Sequence, residues 1–137
     1  MDASVAVKWL VPEEKRRETR QVIAESGVFL APDIIAAEVS SALSRESRLR
    51  QISAARAEEA LSAWTAFLRD GAFVLTASVE ILEEAFRLSL DLDHPLPGCL
   101  YLALSRRVGA RFFTADERLA RKAAGIEGLD VRLLGHA

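Results

Sequence analysis

Apolar residues of this 137-residue chain occur in two kinds of run that alternate along the sequence. Short runs rich in β-branched or aromatic residues predict buried strands, and they lie at residues 28–31, 73–76, 111–114 and 131–134. Between them, apolar residues recur every three or four positions, which predicts amphipathic helices. Strands that alternate with helices predict an α/β fold with a central, mostly parallel sheet and helices on both faces.

Capping residues and glycines mark where the predicted helices begin and end. The first two helices run from Pro32 and Asp33 to about Ser44 and from the N-cap Ser53 to Phe67, and a third begins at the N-cap Ser78. The fourth runs from just after Pro97 and Gly98 to Val108 and is ended by Gly109. The fifth runs from the N-cap Asp116 to about Ala124. The face of the second helix that carries Trp64 is predicted to pack in the core or against a second copy of the chain.

The overall charge argues against a protein that coats nucleic acid passively, because such proteins are usually basic. The net charge is -2 and the sequence pI is about 5.7. Contact with phosphates must therefore come from a metal or from a local basic patch. Basic residues crowd one C-terminal stretch, which is either such a patch or a solvated face: Arg106, Arg107, Arg111, Arg118, Arg121 and Lys122.

Cysteine usage and hydropathy predict a cytoplasmic location. Cys99 is the single cysteine, so no disulfide can form within the chain, which suits a reducing compartment. We predict a packed core residue rather than a nucleophile, because neither His94 nor His136 belongs to a recognisable motif that would activate the thiol. The sequence has no recognisable signal peptide and no apolar run long enough to cross a bilayer.

Two carboxylates are predicted to face one edge of the sheet. Asp116 follows the strand at 111–114, and ligands of open α/β sheets bind beyond the carboxyl ends of the strands. Asp116 is alternatively no more than the cap of the next helix. Glu38 shares a helical side with apolar residues, so burying its charge would be costly unless a cation or a basic partner offset it. The alternative is a surface glutamate whose stem lies along that apolar margin.

A third carboxylate, Asp2, precedes the apolar run at 5–7. Ser4, two residues further on, has a hydroxyl that can hold this carboxylate or orient a metal-bound water. Taken alone, Asp2 would be interpreted as a terminal N-cap.

Four segments in chain order together resemble a known family. They read Asp-Ala-Ser-Val-Ala-Val-Lys-Trp-Leu at 2–10, Ala-Pro-Asp-Ile-Ile-Ala-Ala-Glu-Val at 31–39, His-Pro-Leu and Cys-Leu-Tyr-Leu-Ala-Leu-Ser at 94–96 and 99–105, and Phe-Thr-Ala-Asp-Glu-Arg-Leu at 113–119. These segments resemble the motifs of PIN domains, specifically the VapC-type toxins of bacterial toxin–antitoxin pairs. The resemblance covers nearly the whole chain and implies one PIN-like, three-layer domain over residues 1–137.

The resemblance also implies a magnesium- or manganese-dependent endoribonuclease. In such enzymes an acidic cluster holds the metal, which activates a water and stabilises the phosphoryl transition state. Asp2, Glu38 and Asp116 match the catalytic, metal-binding acids, with Ser4 and Thr114 as supporting hydroxyls. The implied partners are an RNA substrate, a small VapB-like antitoxin whose C-terminal segment covers the cleft, and a second copy of the chain in a homodimer.

The chain departs from the family pattern at Pro97 and Gly98, where the third motif normally reads tyrosine-aspartate. Water can fill a vacant octahedral position, so one metal would still bind, more weakly, and a second metal would suffer most. Asp91 or Asp93 could replace the missing acid, although both are predicted in a solvated turn before His94. The glycine is either natural in a degenerate copy or an inactivating change in a toxic protein.

The second departure is at the start of the sequence, where only Met1 precedes the first aspartate. Family members usually have several apolar residues there, which form a central strand. We therefore expect a first strand that is truncated or that begins upstream, with backbone groups left unpaired in the sheet. Restoring upstream residues is expected to raise the melting temperature.

Two functions remain open on the sequence. One is a ribonuclease toxin in which Arg106, Arg107 and Arg118 steer RNA to the cleft in a salt-dependent way. The other is a catalytically silent protein that keeps the fold and binds an antitoxin or RNA without cleavage, which Gly98 favours.

Overall fold

The computed structural model describes residues 1–11, apart from the side chain of Trp9, and residues 28–134. Helices α1 to α6 span Ala3–Leu10, Ile35–Arg48, Ala54–Arg69, Leu82–Leu92, Leu96–Val108 and Glu117–Ala123, with a short 3₁₀ helix at Ser78–Ile81. Strands β1 to β4 span Phe29–Pro32, Phe73–Thr76, Phe112–Thr114 and Val131–Leu133. Each strand lies within about one residue of its predicted place, and the α/β class is confirmed. His136 lies outside the described residues.

The strands form two parallel pairs within the described ranges. In the first pair, Phe29 of β1 lies opposite Phe73 of β2. In the second, Phe112 of β3 lies opposite Val131 of β4. The parallel arrangement is as predicted, but the sheet is smaller, because β1 and β3 each pair along one edge only in this part of the chain.

A slot separates β1 from β3, with a cavity volume of about 170 Å³. Its walls come from both strands, from the start of the chain and from α5, and include Met1, Phe29, Leu30, Tyr101, Leu104 and Phe112. At one end of the slot, the amide of Asp2 donates a hydrogen bond to the carbonyl of Phe113 at 3.1 Å. The slot therefore lies where a strand ahead of Asp2 would run, and the truncated first strand stays a prediction.

Helix α5 is the central element of the core and packs against α4, β1 and β3. All residues from Cys99 to Ser105 are buried. Burial raises the pKa of the Cys99 thiol to about 11, which agrees with the predicted core role of this residue.

Helix α5 begins at Leu96, so the prediction that Pro97 and Gly98 precede it is wrong. Proline is tolerated in a first helical turn, where its missing N–H has no helical partner. Gly109, with φ 68°, ends the helix as predicted.

Two other helix starts also differ from the sequence prediction. Helix α2 begins at Ile35 and extends one turn beyond the predicted end, to Arg48. Ser78 does not cap α4, because its amide and hydroxyl donate to the Asp33 carboxylate at 3.2 and 2.5 Å. A local sequence pattern could not reveal this contact, since it joins the ends of two neighbouring strands.

Helix α3 confirms the predicted N-cap and the core role of its apolar face. The hydroxyl of Ser53 accepts from the amide of Arg56 at 3.1 Å. Trp64 is buried, its indole donates to the carbonyl of Ala36 at 3.3 Å, and its ring meets Phe73 edge-on. Within the described residues, no helix combines the length and the apolar character needed to cross a membrane.

Candidate metal centre

One open cavity of about 440 Å³ brings the predicted site residues together. Asp2, Glu38 and Asp116 all line it, although they come from the starts of α1, α2 and α6. Ser4 and Gly98 lie on the same walls. Helix starts present amide groups and positive dipole ends, so their convergence favours negatively charged side chains and ligands.

Asp2 is the most buried acid of the site, with 6% of its surface exposed. It is the N-cap of α1, and its Oδ1 accepts from the Ser4 hydroxyl at 2.5 Å and from the amide of Val5 at 3.4 Å. Its Oδ2 accepts from the hydroxyl of Thr114 at 2.5 Å. Each carboxylate oxygen is thus fixed by a hydroxyl, which orients the group toward the cavity.

The same two hydroxyls connect the start of α1 to the loop between β3 and α6. Thr114 is fully buried at the end of β3, and its hydroxyl accepts from the amide of Asp116 at 3.0 Å. The Ser4 hydroxyl accepts from the amide of Ala115 at 2.9 Å. Ser4 and Thr114 therefore fix the positions of Asp2 and Asp116 relative to each other.

Asp116 is the N-cap of α6, since its Oδ1 accepts from the amide of Leu119 at 3.1 Å. The capping interpretation made from the sequence is confirmed. The capping role does not bury the carboxylate, whose side chain stays 43% exposed. The second oxygen, Oδ2, lies 4.0 Å from Nε2 of His94, so Asp116 can cap the helix and still face a ligand.

Glu38 lies in the first turn of α2 and is half-buried. Its Oε1 accepts a hydrogen bond of 2.5 Å from the hydroxyl of Tyr101, which also lines the cavity. Tyr101 was not among the site residues predicted from the sequence. Its position three residues after Gly98 on one helix was the available signal, because residues three apart share a face.

The surroundings of Asp2 and Glu38 disfavour the charged forms of both carboxylates. Burial raises the pKa of Asp2, against the hydrogen bonds from Ser4 and Thr114 and the charge of the Met1 amino group. Burial also raises the pKa of Glu38, where the Tyr101 hydrogen bond opposes it and the charge of Asp2 reinforces it. A cation bound between the two carboxylates would offset both the desolvation and the repulsion.

Both a protein-family model and a known protein match this chain. A family model described as PIN domain matches residues 1–125, which is most of the chain. The chain belongs to the PIN-domain family. It is also similar to Ribonuclease VapC3 of Pyrobaculum aerophilum, with 29% identity over 125 residues that cover 89% of this chain and 92% of the relative. The resemblance to VapC-type PIN domains inferred from the sequence is confirmed.

In this PIN domain, His94 occupies the space of the acid expected at position 98. A Cβ built on Gly98 would lie 2.9 Å from Nε2 and 3.1 Å from Cδ2 of the imidazole. Only 8% of the His94 surface is exposed, and burial lowers its pKa, so the ring is neutral at neutral pH. His94 had no role predicted from the sequence, because its contact with residue 98 depends on the bend between α4 and α5.

The two aspartates considered as replacements for the missing acid do not line the cavity. Asp91 lies on the exposed side of α4, in helix rather than in the predicted turn. Asp93 is the left-handed C-cap of that helix, with φ 49°. Its carbonyl accepts from the ammonium group of Lys122 at 2.5 Å.

The donor chemistry of the PIN-domain cavity fits a hard divalent cation, because its acids supply oxygen ligands. Within the described ranges, however, no three His, Cys, Asp or Glu side chains are already arranged to hold a metal ion. Asp2 is fixed by its hydroxyl partners, whereas the exposed carboxylate of Asp116 has room to move. Metal binding here requires a closer approach of the acids.

The three candidate RNA-steering arginines lie at different places in the PIN domain. Arg118 lines the acidic cavity. Arg106 and Arg107 lie in the last turn of α5, about 12 Å along the helix axis from Gly98 at 1.5 Å per residue. Arg107 pairs with Glu84 at 2.6 Å. Of the three, Arg118 is the one beside the candidate metal centre.

Proposed function

We propose that this PIN domain is a metal-dependent endoribonuclease that acts as the toxin of a toxin–antitoxin pair. The observation that carries the proposal is the convergence of Asp2, Glu38 and Asp116 on one cavity. The raised pKa values of the first two acids support a site that a cation completes. The similarity to Ribonuclease VapC3 supports RNA as the substrate.

In the proposed mechanism the three acids hold Mg²⁺ or Mn²⁺. The bound ion would lower the pKa of a water and offset charge on the phosphate. Ser4 and Thr114 keep Asp2 oriented and favour its ionised form, against the effect of burial, by donating to its two oxygens. Tyr101 fixes one oxygen of Glu38. Burial raises the pKa of the Tyr101 hydroxyl, so that it remains a donor. Arg118, at the cavity wall, would contact a phosphate of the RNA.

A Mn²⁺ titration followed by thermal unfolding tests the metal centre. Ligands that bind the folded state raise its melting temperature, so we expect Mn²⁺ to stabilise the wild-type chain and to stabilise Asp116→Asn much less. Asp91→Asn is the matched control, because Asp91 is exposed and does not line the cavity. An unchanged metal response in Asp116→Asn would exclude Asp116 as a ligand.

The second candidate function is binding without cleavage, and Gly98 is the observation that favours it. An RNA cleavage assay compares the wild-type chain with Gly98→Asp, in which the aspartate side chain displaces the His94 ring. Cleavage by the aspartate variant alone would support the silent protein. Equal cleavage by both would support an enzyme that works without an acid at position 98.

We also propose a homodimer and a small VapB-like antitoxin whose C-terminal segment covers the cavity. A row of exposed apolar residues on α4, formed by Leu82, Phe86 and Leu90, supports a protein contact on that face. These residues recur every four positions and so form one stripe. Light scattering on the purified chain should give the mass of two copies. The Phe86→Glu variant should have the mass of one copy.

A further inference from the structure

The ring of His94 lies between the end of α4 and the first turn of α5, at the wall of the cavity. Its side chain is only 6% exposed. Its Nδ1 is buried and has no hydrogen-bond partner among the described residues. A buried polar atom without a partner loses its hydration and gains nothing in return, so packing alone does not explain an imidazole here. An ion at Nε2 would leave the proton on Nδ1 and would not offset this cost, so a ligand role depends on the surroundings of Nε2.

The other nitrogen, Nε2, points toward the acids. It lies 4.0 Å from Oδ2 of Asp116, which is too far for a hydrogen bond. One ion bonded to both atoms at roughly 2.1 Å could bridge a separation of up to about 4.2 Å. The nitrogen also lies 2.9 Å from the place where a Cβ at position 98 would be. An aspartate at 98 and this imidazole would thus reach the same part of the cavity.

We propose that His94 is a metal ligand that replaces the acid missing at position 98, and that the site therefore prefers Mn²⁺ or a later divalent transition metal to Mg²⁺. The proposal rests on the metal site of the proposed function and specifies its donor set. Mg²⁺ takes oxygen ligands almost exclusively in proteins. Imidazole nitrogen instead favours transition metals, whose affinity rises from Mn²⁺ toward Cu²⁺.

The decisive measurement is pulsed electron paramagnetic resonance of the full-length chain loaded with Mn²⁺. A coordinated imidazole gives a ¹⁴N coupling that oxygen ligands do not give. The chain has two histidines, so His136→Gln, outside the described residues, is the matched control and should keep the coupling. His94→Phe keeps a ring of similar volume and removes both nitrogens, so the coupling should disappear.

Calorimetric titration of the same variants gives a second readout that needs no activity. We expect His94→Phe to lower the Mn²⁺ affinity roughly tenfold or more, as losses around metal ligands typically do, while the weaker Mg²⁺ affinity changes little. The preference for Mn²⁺ over Mg²⁺ should therefore fall in His94→Phe and stay unchanged in His136→Gln.

The possible outcomes separate this inference from the proposed function. Mn²⁺ that binds in an Asp116-dependent way but shows no ¹⁴N coupling in the wild-type chain would overturn the role of His94 and leave the proposed metal site intact. No Mn²⁺ binding at all would overturn both. Because the coupling is measured on the wild-type chain, a His94→Phe variant that fails to fold would not prevent the test.

Discussion

At the residue scale, Asp2 is where stability and the proposed chemistry oppose each other. A carboxylate that is 6% exposed loses most of its hydration, and its charge in turn raises the pKa of Glu38. Two hydroxyls donate hydrogen bonds that compensate in part for the lost hydration of Asp2. They belong to Ser4 and Thr114, which lie 2 and 112 positions away in the sequence. A fold keeps such an acid where a cation or a reaction needs it.

The raised pKa of Asp2 predicts a pH-dependent stability of the metal-free chain. The folded state holds the proton above the ordinary value of 3.8. Stability is therefore lost as the pH rises from that value through the raised pKa. With EDTA present, the wild-type melting temperature should fall relative to that of Asp2→Asn from acidic to neutral pH.

Glu38 and the Met1 amino group titrate in both proteins of this comparison, so the effect of burial on their pKa values cancels from the difference. Asp91→Asn serves as the control and should follow the wild-type curve, since Asp91 is exposed. A difference between wild type and Asp2→Asn that does not change with pH would show that the pKa of Asp2 is not raised in the folded state.

At the scale of elements, the slot between β1 and β3 is the main irregularity of the sheet. Each of these strands is paired along one edge within the described ranges, and the slot between them has walls from Phe29, Phe112 and Leu104 of α5. Buried backbone amides and carbonyls without partners are costly. An additional parallel strand between β1 and β3 would form hydrogen bonds with both strands and join the two pairs into one sheet.

An apolar extension of five or six residues ahead of Met1 is therefore expected to raise the melting temperature. At about 3.3 Å per residue it would cover the length of β1, and a gain of about 1 kcal/mol corresponds to a rise of several degrees for a domain of this size. The comparison is made by circular dichroism against a glycine- and serine-rich extension of equal length. Equal melting temperatures for the two extensions would refute strand formation in the slot.

At the scale of the whole molecule, a net charge of -2 combines with an acidic cavity. RNA would be repelled by such a site unless metal and local basic groups reversed the potential around it. Among the described residues, Arg118 is the basic residue on the cavity wall, whereas Arg107 is paired with Glu84 at the far end of α5. Of the three arginines predicted to steer RNA, Arg118 is thus the one that lines the cavity.

Arg118→Gln is expected to weaken RNA binding and to lower the slope of log affinity against log salt by roughly 0.7, the value for one contact to a single strand. Arg107→Gln is the matched control and should leave both quantities unchanged. Fluorescence anisotropy with a short RNA measures them, in the Asp116→Asn background to prevent cleavage. Equal losses in the two arginine variants would indicate non-specific attraction instead of a contact at the cavity.

Features that depend on neighbouring residues were determined by the sequence alone. The four strands follow from short apolar runs, and the caps Ser53, Gly109 and Asp116 act as predicted, because strand burial and capping are local interactions. The acids Asp2 and Glu38 were found through their motifs, and both line the cavity. The role of these acids in metal binding stays a prediction.

The tertiary structure alone decided which distant groups meet. The hydroxyl of Tyr101 donates to Glu38, which lies 63 positions away in the sequence. The hydroxyl of Ser78 donates to Asp33, 45 positions away, instead of capping its own helix. His94 and Gly98 are near each other in the sequence, yet their approach also depends on a tertiary feature, the bend between α4 and α5. Periodicity and propensity describe the surroundings of one segment, whereas these contacts depend on how helices and strands pack, which no single segment specifies.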